Sequence, residues 1–387
     1  MAINIYTEPD NLQSPYRPYY FDCSSDLGTI QRMIADVYIG SSLVSTIDVD
    51  PIIGTTDQFR FEVGEIIQKN LTSEFDEVSA LPETFDQTTS ATDVYLNIFE
   101  VYTSGSLLDT SWSEGGAGTG YATSTVLNVS NLVFQHSQKD DASDYLLTSS
   151  SGKFGTNRPQ NIAVSKNQYF FLGGVTSDSA KKIQVVEYDG LNGTGSTVNS
   201  STSGTVAPTY QSLNFGIDTS DLDSTTKSFS FKVQDGGNST MSETFYVNLD
   251  DSCDNEVIFY WQNNYGKFDT HVFKGRYSEK TRTKTSTIER RLAKDYNFSD
   301  RGLTDLTKEN ERVFEVYTKL YSRTTIEWLA EIGESVDVRI QETINGAKEI
   351  IPVNVKNISS KIVDTENGVY QLKVEYVLSN QRINLIG

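Results

Sequence analysis

Residues that usually carry chemistry are scarce in this chain. It has 2 histidines, 2 cysteines, 3 methionines and 3 tryptophans among 387 residues. Two histidines as far apart as His136 and His271 cannot supply a three-histidine zinc site, and neither HExxH nor CxxC occurs. His271 sits in a strand-like run, where a surface or half-buried position is expected. No GxSxG elbow marks a serine hydrolase. Cys23 and Cys253 are distant in sequence. Two reduced thiols are expected of a protein made in a cytosol, with a single disulfide as the alternative. No apolar run approaches the roughly 20 residues of a membrane helix. The opening MAINIYTEPD has neither the basic nor the apolar part of a secretion signal. The expectation is a protein made in the cytoplasm, with no membrane partner, no metal and no cofactor.

Positive charge is scarce too. Lys and Arg number 32 against 52 Asp and Glu, a net charge of −20. Phosphate recognition needs clustered cations, so specific nucleic-acid binding is not expected. The one basic run, Arg276 to Lys294, carries Lys280, Arg282, Lys284, Arg290, Arg291 and Lys294. It reads as a solvated loop and helix face, or as a contact for an acidic neighbouring subunit. Gly115 to Gly120 has the look of a phosphate loop but lacks the Lys-Ser/Thr ending and the following helix, so it reads as a flexible loop. Asp218, Asp221 and Asp223, and Asp250, Asp251, Asp254 and Glu256, lack calcium-loop spacing and read as solvated turns. Nothing singles out a carboxylate pair for glycoside hydrolysis among so many acids.

What is plentiful is β-forming: 21 Tyr and 19 Phe, with Ser, Thr, Asn and Asp between them. The alternating runs Arg32–Ile39, Leu43–Val49, Phe59–Val63, Val94–Tyr102 and Val126–Phe134 predict a sandwich over residues 1–136. An extended Pro/Tyr arm with Pro15, Tyr16 and Pro18 precedes it, and Glu65–Leu71 reads as a short helical turn. Short strand candidates at residues 145–147, 161–164, 169–172, 183–188, 212–217, 228–233 and 244–249 predict a second sandwich over 137–250, with DGGN after Val233 as a hairpin turn. Residues 251–387 differ in texture. Ser286–Tyr296 and Thr324–Glu334 each begin with a capping box and read as helices. The second, amphipathic helix carries Trp328 and places Ile326, Leu329, Ala330 and Gly333 on one stripe. With strands around it, this is an α+β unit.

The most distinctive stretch is EVIFYWQNNYGKFDTHVF, Glu256 to Phe273. Val257, Phe259 and Trp261 alternate on one face, and Asn263, Asn264 and Gly266 supply a turn. The stretch resembles a W-x-N-x-x-G-x-x-D-x-x-x-F pattern, filled by Trp261, Asn263, Gly266, Asp269 and Phe273. With Ile34–Pro51 and Glu327–Ile340 it resembles virion structural proteins of tailed bacteriophages, especially those infecting Bacteroidota. The resemblance implies fibronectin-III-like N-terminal sandwiches and a C-terminal β domain with one helix. It also implies a non-enzymatic virion component: a ring, collar, tail adaptor or baseplate subunit. Its partners would be copies of itself in a cyclic oligomer and other phage tail or head-tail proteins. Passive contact with a DNA conduit fits the acidic charge. The alternative is a receptor- or glycan-binding tail fibre or adaptor, favoured by the aromatic β character.

Overall fold

The computed structural model describes residues 3–9, 18–25, 30–70, 75, 83–86, 91–102, 123–130, 147, 150, 152–175, 181–202, 212–250, 256–289, 294–295, 303–344, 347–364, 368–379 and 384–386. The protein is mainly β, built of antiparallel sheets with short helices. Its contacts divide it into two compact units. The first comprises Met1–Thr156, Tyr169–Asn248 and Asn263–Phe268. The second comprises Asn157–Gln168, Leu249–Gln262 and Asp269–Gly387. The expected boundary at 250/251 falls beside the crossing at Leu249. The one at 136/137 lies outside the described residues, and both expected sandwiches group into the first unit.

In the first unit, strands Ile3–Thr7, Tyr20–Ser25 and Gln58–Glu62 form one sheet. Ser42–Val49, Ile30–Ile39, Ala91–Tyr102 and Thr123–Ser130 form another, in that order. Phe59 and Phe61 are buried between exposed Gln58, Arg60 and Glu62, the signature of a strand with one wet face. With Phe21 and Cys23 they pack on Met33, Ala35, Val37, Val94, Leu96 and Ile98 in a single core. Helix Gly64–Asn70, where a helical turn was expected, buries Ile67 against it. Cys23 is a free, buried thiol. Burial, with Asp22 and Glu100 adding, pushes it up to about 12, so it is an inert core residue. Cys253 lies outside the described residues.

The rest of this unit is a second pair of sheets. One has the order Tyr169–Val175, Ser212–Asp218, Glu83–Asp86. The other runs Thr197–Thr202, Lys181–Tyr188, Ser228–Asp235, Phe245–Asp250. Phenyl rings fill the space between them. Phe170 meets Phe229 at 5.4 Å edge-on, and Phe154 meets Phe215, Phe231 and Phe245 at 6.2–6.4 Å. The DGGN turn is a hairpin turn as expected. Asp235 N–H donates to Ser239 O, and Asn238 takes φ +71°. The expected strand 161–164 shrinks to Val164–Ser165, because Asn161 turns the chain at φ +63°. Thr197–Thr202 has no apolar alternation to announce it; it is a polar edge strand.

The second unit is built on an 8-stranded sheet. Its strand order is Phe268–Phe273, Val257–Gln262, Val338–Ile344, Ala347–Asp364, Val369–Leu378, Leu303–Tyr317, Tyr277–Glu289, with Asn384–Ile386 also on Leu303–Tyr317. The helix expected over 324–334 is α-helical over Arg323–Ala330 and continues as a 3₁₀ turn to Gly333. Ser322 rather than Thr324 is the N-cap, its hydroxyl facing the Thr325 N–H. Its buried face is Thr325, Ile326, Trp328, Leu329 and Ile332. The other expected helix, Ser286–Tyr296, is corrected at its start: Tyr277–Glu289 is a strand. Thr281, Thr283, Thr285 and Thr287 alternate with Arg282, Lys284 and Ser286, a period of two that overrides the apparent capping box.

The hairpin exists, but it is buried on both faces. Ile258 and Tyr260 are as buried as Phe259 and Trp261, so its strands form continuous core. In the turn, Asn263 N–H donates to Lys267 O at 2.7 Å and Gly266 N–H to Asn263 O at 2.9 Å. The Asn263 carboxamide oxygen accepts from Tyr265 N–H and Lys267 N–H, and its amide donates to Gly155 O. Gly266 sits at φ +69°, where a side chain is strained. Gly266→Val is expected to destabilise the fold by about 1–3 kcal/mol. Gly266→Asn, which tolerates positive φ, should cost clearly less. Thermal unfolding of both variants checks the turn assignment; equal stability of the valine variant and the parent would refute it.

Candidate assembly site

The W-x-N-x-x-G-x-x-D-x-x-x-F residues divide between two roles. Asn263 and Gly266 build the turn. Trp261, Asp269 and Phe273 gather in the second unit around Trp328 of the helix. Trp261 and Trp328 lie 5.1 Å apart, and Phe273 packs on Phe259 at 4.8 Å. Asp269 is a core carboxylate, 1% exposed, that accepts the Trp328 indole N–H at 2.7 Å. Of the extended arm, Pro15 and Tyr16 lie outside the described residues, and Pro18 is exposed.

Three residues that the sequence did not single out complete this centre. Arg158 is buried, donates to the backbone oxygens of Thr270 and Ile162, and lies over the Trp328 ring at 5.0 Å. Asn157 donates to Glu331 at the helix end at 2.7 Å, and Gln168 donates to Thr270 Oγ1 at 3.0 Å. Burial lowers the Arg158 guanidinium to about 10, against the opposing pull of Asp269 and Tyr321, so it stays charged at neutral pH. No local sequence signal marks these partners, because their bonds to the hairpin and the helix span 102–174 residues.

His271 overturns its expected surface position: it is fully buried among Phe273, Tyr321 and Trp328, ring centroids 5.4–5.8 Å away. Neither ring nitrogen has a hydrogen-bond partner. Burial, reinforced by Arg158, Lys274 and Lys319, holds its pKa well below the ordinary value, so the imidazole is neutral. Its strand is buried along its whole length, so alternation gave no warning.

The expected loop and helix face of the basic run is corrected to a strand, Tyr277–Glu289, at the edge of a long β arm. Tyr277–Glu289 pairs with Leu303–Tyr317 from Tyr277↔Val316 to Glu289↔Leu303. Strand Val369–Leu378 flanks it from Phe314 to Tyr317, and Asn384–Ile386 flanks it from Lys308 to Asn310. At this base the cations have partners in their own sheet. Lys280 and Lys373 bind Glu315 at 2.7 and 2.9 Å, Arg282 binds Glu375 at 3.1 Å, and Lys373 also reaches Glu375. Lys280, with Lys373, draws Glu315 down to about 2. Beyond the base, Thr281–Thr283 and Thr285–Glu289 are exposed, and Ile288 and Leu303 end the arm at 44% and 64% exposure.

Elsewhere the acids serve their own turns. Asp218 accepts from Ser220 N–H and Asp223 from Thr225 N–H, while Asp250 pairs with Lys274 and Lys319. The glycine run at 115–120, His136, Asp251 and Asp254 lie outside the described residues.

The chain matches no family model and no curated protein. Among solved structures it is similar to the Bacteroides ovatus mixed-linkage glucan utilization locus SGBP-B, solved in complex with a mixed-linkage heptasaccharide. The likeness is 8% identity over 96% of this chain and 73% of that one, with a TM-score of 0.20. Identity and superposition at that level leave the fold description to the strand order given above.

Two measurements probe the buried centre. Trp328→Phe removes the indole N–H and leaves the Asp269 carboxylate short of a donor, and a loss of about 1–3 kcal/mol in unfolding free energy is expected. Unchanged stability would show that the contact contributes nothing. For His271, the folded state binds its proton less readily than the unfolded chain. Stability is therefore lost as pH falls below about 6.5, by up to about 1.4 kcal/mol per pH unit. The carboxylates held low in the fold, Asp250 and Glu315, act in a more acid window. His271→Phe should flatten the stability profile between pH 7 and pH 5, as measured by denaturant titration; a slope equal to the parent's would refute the assignment.

Proposed function

We propose that this protein is a non-enzymatic structural component of a tailed-bacteriophage virion: a ring, collar, tail adaptor or baseplate subunit made in the host cytoplasm. The observation that carries the assembly role is the arm. At its tip Ser286–Glu289 pairs with Leu303–Thr307 alone among the described residues, and a two-stranded ribbon is marginal by itself. Among the described residues, Tyr277–Glu289 ends the sheet, so its outer edge offers unpaired backbone groups. Ile288 and Leu303 add apolar surface where a solvated ribbon has little reason to keep any. A second copy of the chain fits as occupant. It supplies strand edges of its own, and a head-to-tail contact repeated around an axis closes a ring. Support for the virion setting is the resemblance carried by the hairpin and helix motifs. A net charge of −20 suits a subunit that must not hold DNA passing by it.

The test uses the full chain with the substitutions Ile288→Asp and Leu303→Asp. Both side chains are exposed, so thermal stability should stay within about 0.5 kcal/mol of the parent. Native mass spectrometry and electron microscopy are expected to show cyclic oligomers of the parent, alone or with neighbouring virion proteins, and about tenfold or more weaker association of the variant. A parent that stays monomeric and joins no particle overturns the proposal.

A further inference from the structure

The second unit holds a cleft of about 350 Å³ on the sheet, at the base of the arm, apart from the buried tryptophan centre. Its mouth is Tyr277, Glu342 and Thr343, all exposed, with Asn167 at the side. Its floor is apolar, including Ile340 and Tyr376, 1% and 2% exposed. The walls are fixed from behind. Gln341 donates to Asn167 O at 2.6 Å and accepts from the Tyr260 hydroxyl at 2.6 Å, holding the rim segment in place. Tyr376 stacks on Phe314 at 5.3 Å, and Phe314 is 6.2 Å from Tyr277, so one aromatic row runs from the floor to the mouth.

The charges narrow what such a cleft can take. Glu256 is already engaged by Ser165 Oγ at 2.8 Å and Lys274 at 3.5 Å. Glu342 faces the cleft with no cation among the described residues of the lining, which disfavours anions. Burial, with Glu279 and Glu342 adding, raises the pKa of Tyr277, so its hydroxyl is a neutral donor. An apolar ligand would leave Asn167, Glu342 and Thr343 without partners. A bare cation would satisfy Glu342 but not the donors of Asn167, Thr343 and the tyrosines. A sugar ring meets all of these: hydroxyls that donate to Glu342 and accept from the others, and an apolar C–H face for the Tyr277 ring. The volume is at the small end for a ligand site and suits a short saccharide.

We infer that this cleft binds a neutral saccharide, with Tyr277 as the stacking platform and Glu342, Thr343 and Asn167 as the polar contacts. The inference concerns the second unit and stands independently of the virion reading.

The experiment titrates the full-length chain with cellobiose, maltose, chitobiose, anionic sialyllactose and, as a cation probe, arginine amide. It is followed by calorimetry and ligand-observed NMR. Saturable binding of at least one neutral sugar is expected, with sialyllactose weaker. Tyr277→Ala and Glu342→Gln should each weaken binding about tenfold or more while thermal stability is kept. The arm variant Ile288→Asp/Leu303→Asp should bind as the parent does, which separates this site from assembly. No sugar binding at millimolar concentration, binding of arginine amide alone, or sugar binding unchanged by both cleft variants overturns the inference.

Discussion

The hydrogen bond from the Trp328 indole to Asp269, with Arg158 lying over the same indole, is the constraint on which the second unit is built. It joins three separate stretches of chain: the helix, the return strand of the hairpin, and the segment Asn157–Gln168. A carboxylate and a guanidinium with almost no exposure are costly to place in a core, and only dense hydrogen bonding offsets that cost. Apolar packing alone would tolerate several rotations of the helix on the sheet. Asp269 and Arg158 tolerate one, because any other leaves a charge without its donors or acceptors. His271 sits in the same layer with nothing to bond to. It behaves as an aromatic filler at neutral pH and makes the layer acid-sensitive.

The same sheet changes character along its strands. Around Phe259, Trp261 and Tyr376 it is core on both sides. Around Glu315 and Glu375 it carries an ion-paired patch, and from Thr281 on the described side chains of the edge strand are exposed. The patch is where the transition is managed. Lys280, Arg282 and Lys373 neutralise two nearly buried glutamates, so the strands can leave the core without stranding those charges. Single surface ion pairs contribute little, but here five charged groups share contacts in a fixed lattice.

Local periodicity made most strands legible. Gln58–Glu62 and Lys181–Tyr188 alternate cleanly because one face of each is wet or less buried. The short helix Gly64–Asn70 and the amphipathic helix were legible from a broken period of two and an apolar stripe. The failures share a cause. His271 and Asp269 lie in a strand buried on both faces, so alternation carried no information about either. The basic run has a capping box by spelling, yet its threonines alternate, and pairing with Leu303–Tyr317 decides the matter. The bonds of Arg158, Asn157 and Gln168 to the hairpin and the helix span at least 102 residues, and nothing in the local sequence reports them.

The hairpin pattern therefore specifies a way of closing a core. Asn263 and Gly266 set the turn, Trp261 and Phe273 fill the interior, and Asp269 fixes the helix. None of these side chains reaches solvent in a form a partner could read. Recognition has to occur on surfaces that the pattern supports without being part of them. The arm and the cleft both grow from the sheet the hairpin belongs to, and Tyr277 stands at the root of one and the mouth of the other. A contact that moved the arm at its base would move the stacking platform of the cleft with it, because Tyr277 is paired to Val316 in the ribbon and in line with Phe314 and Tyr376 below it.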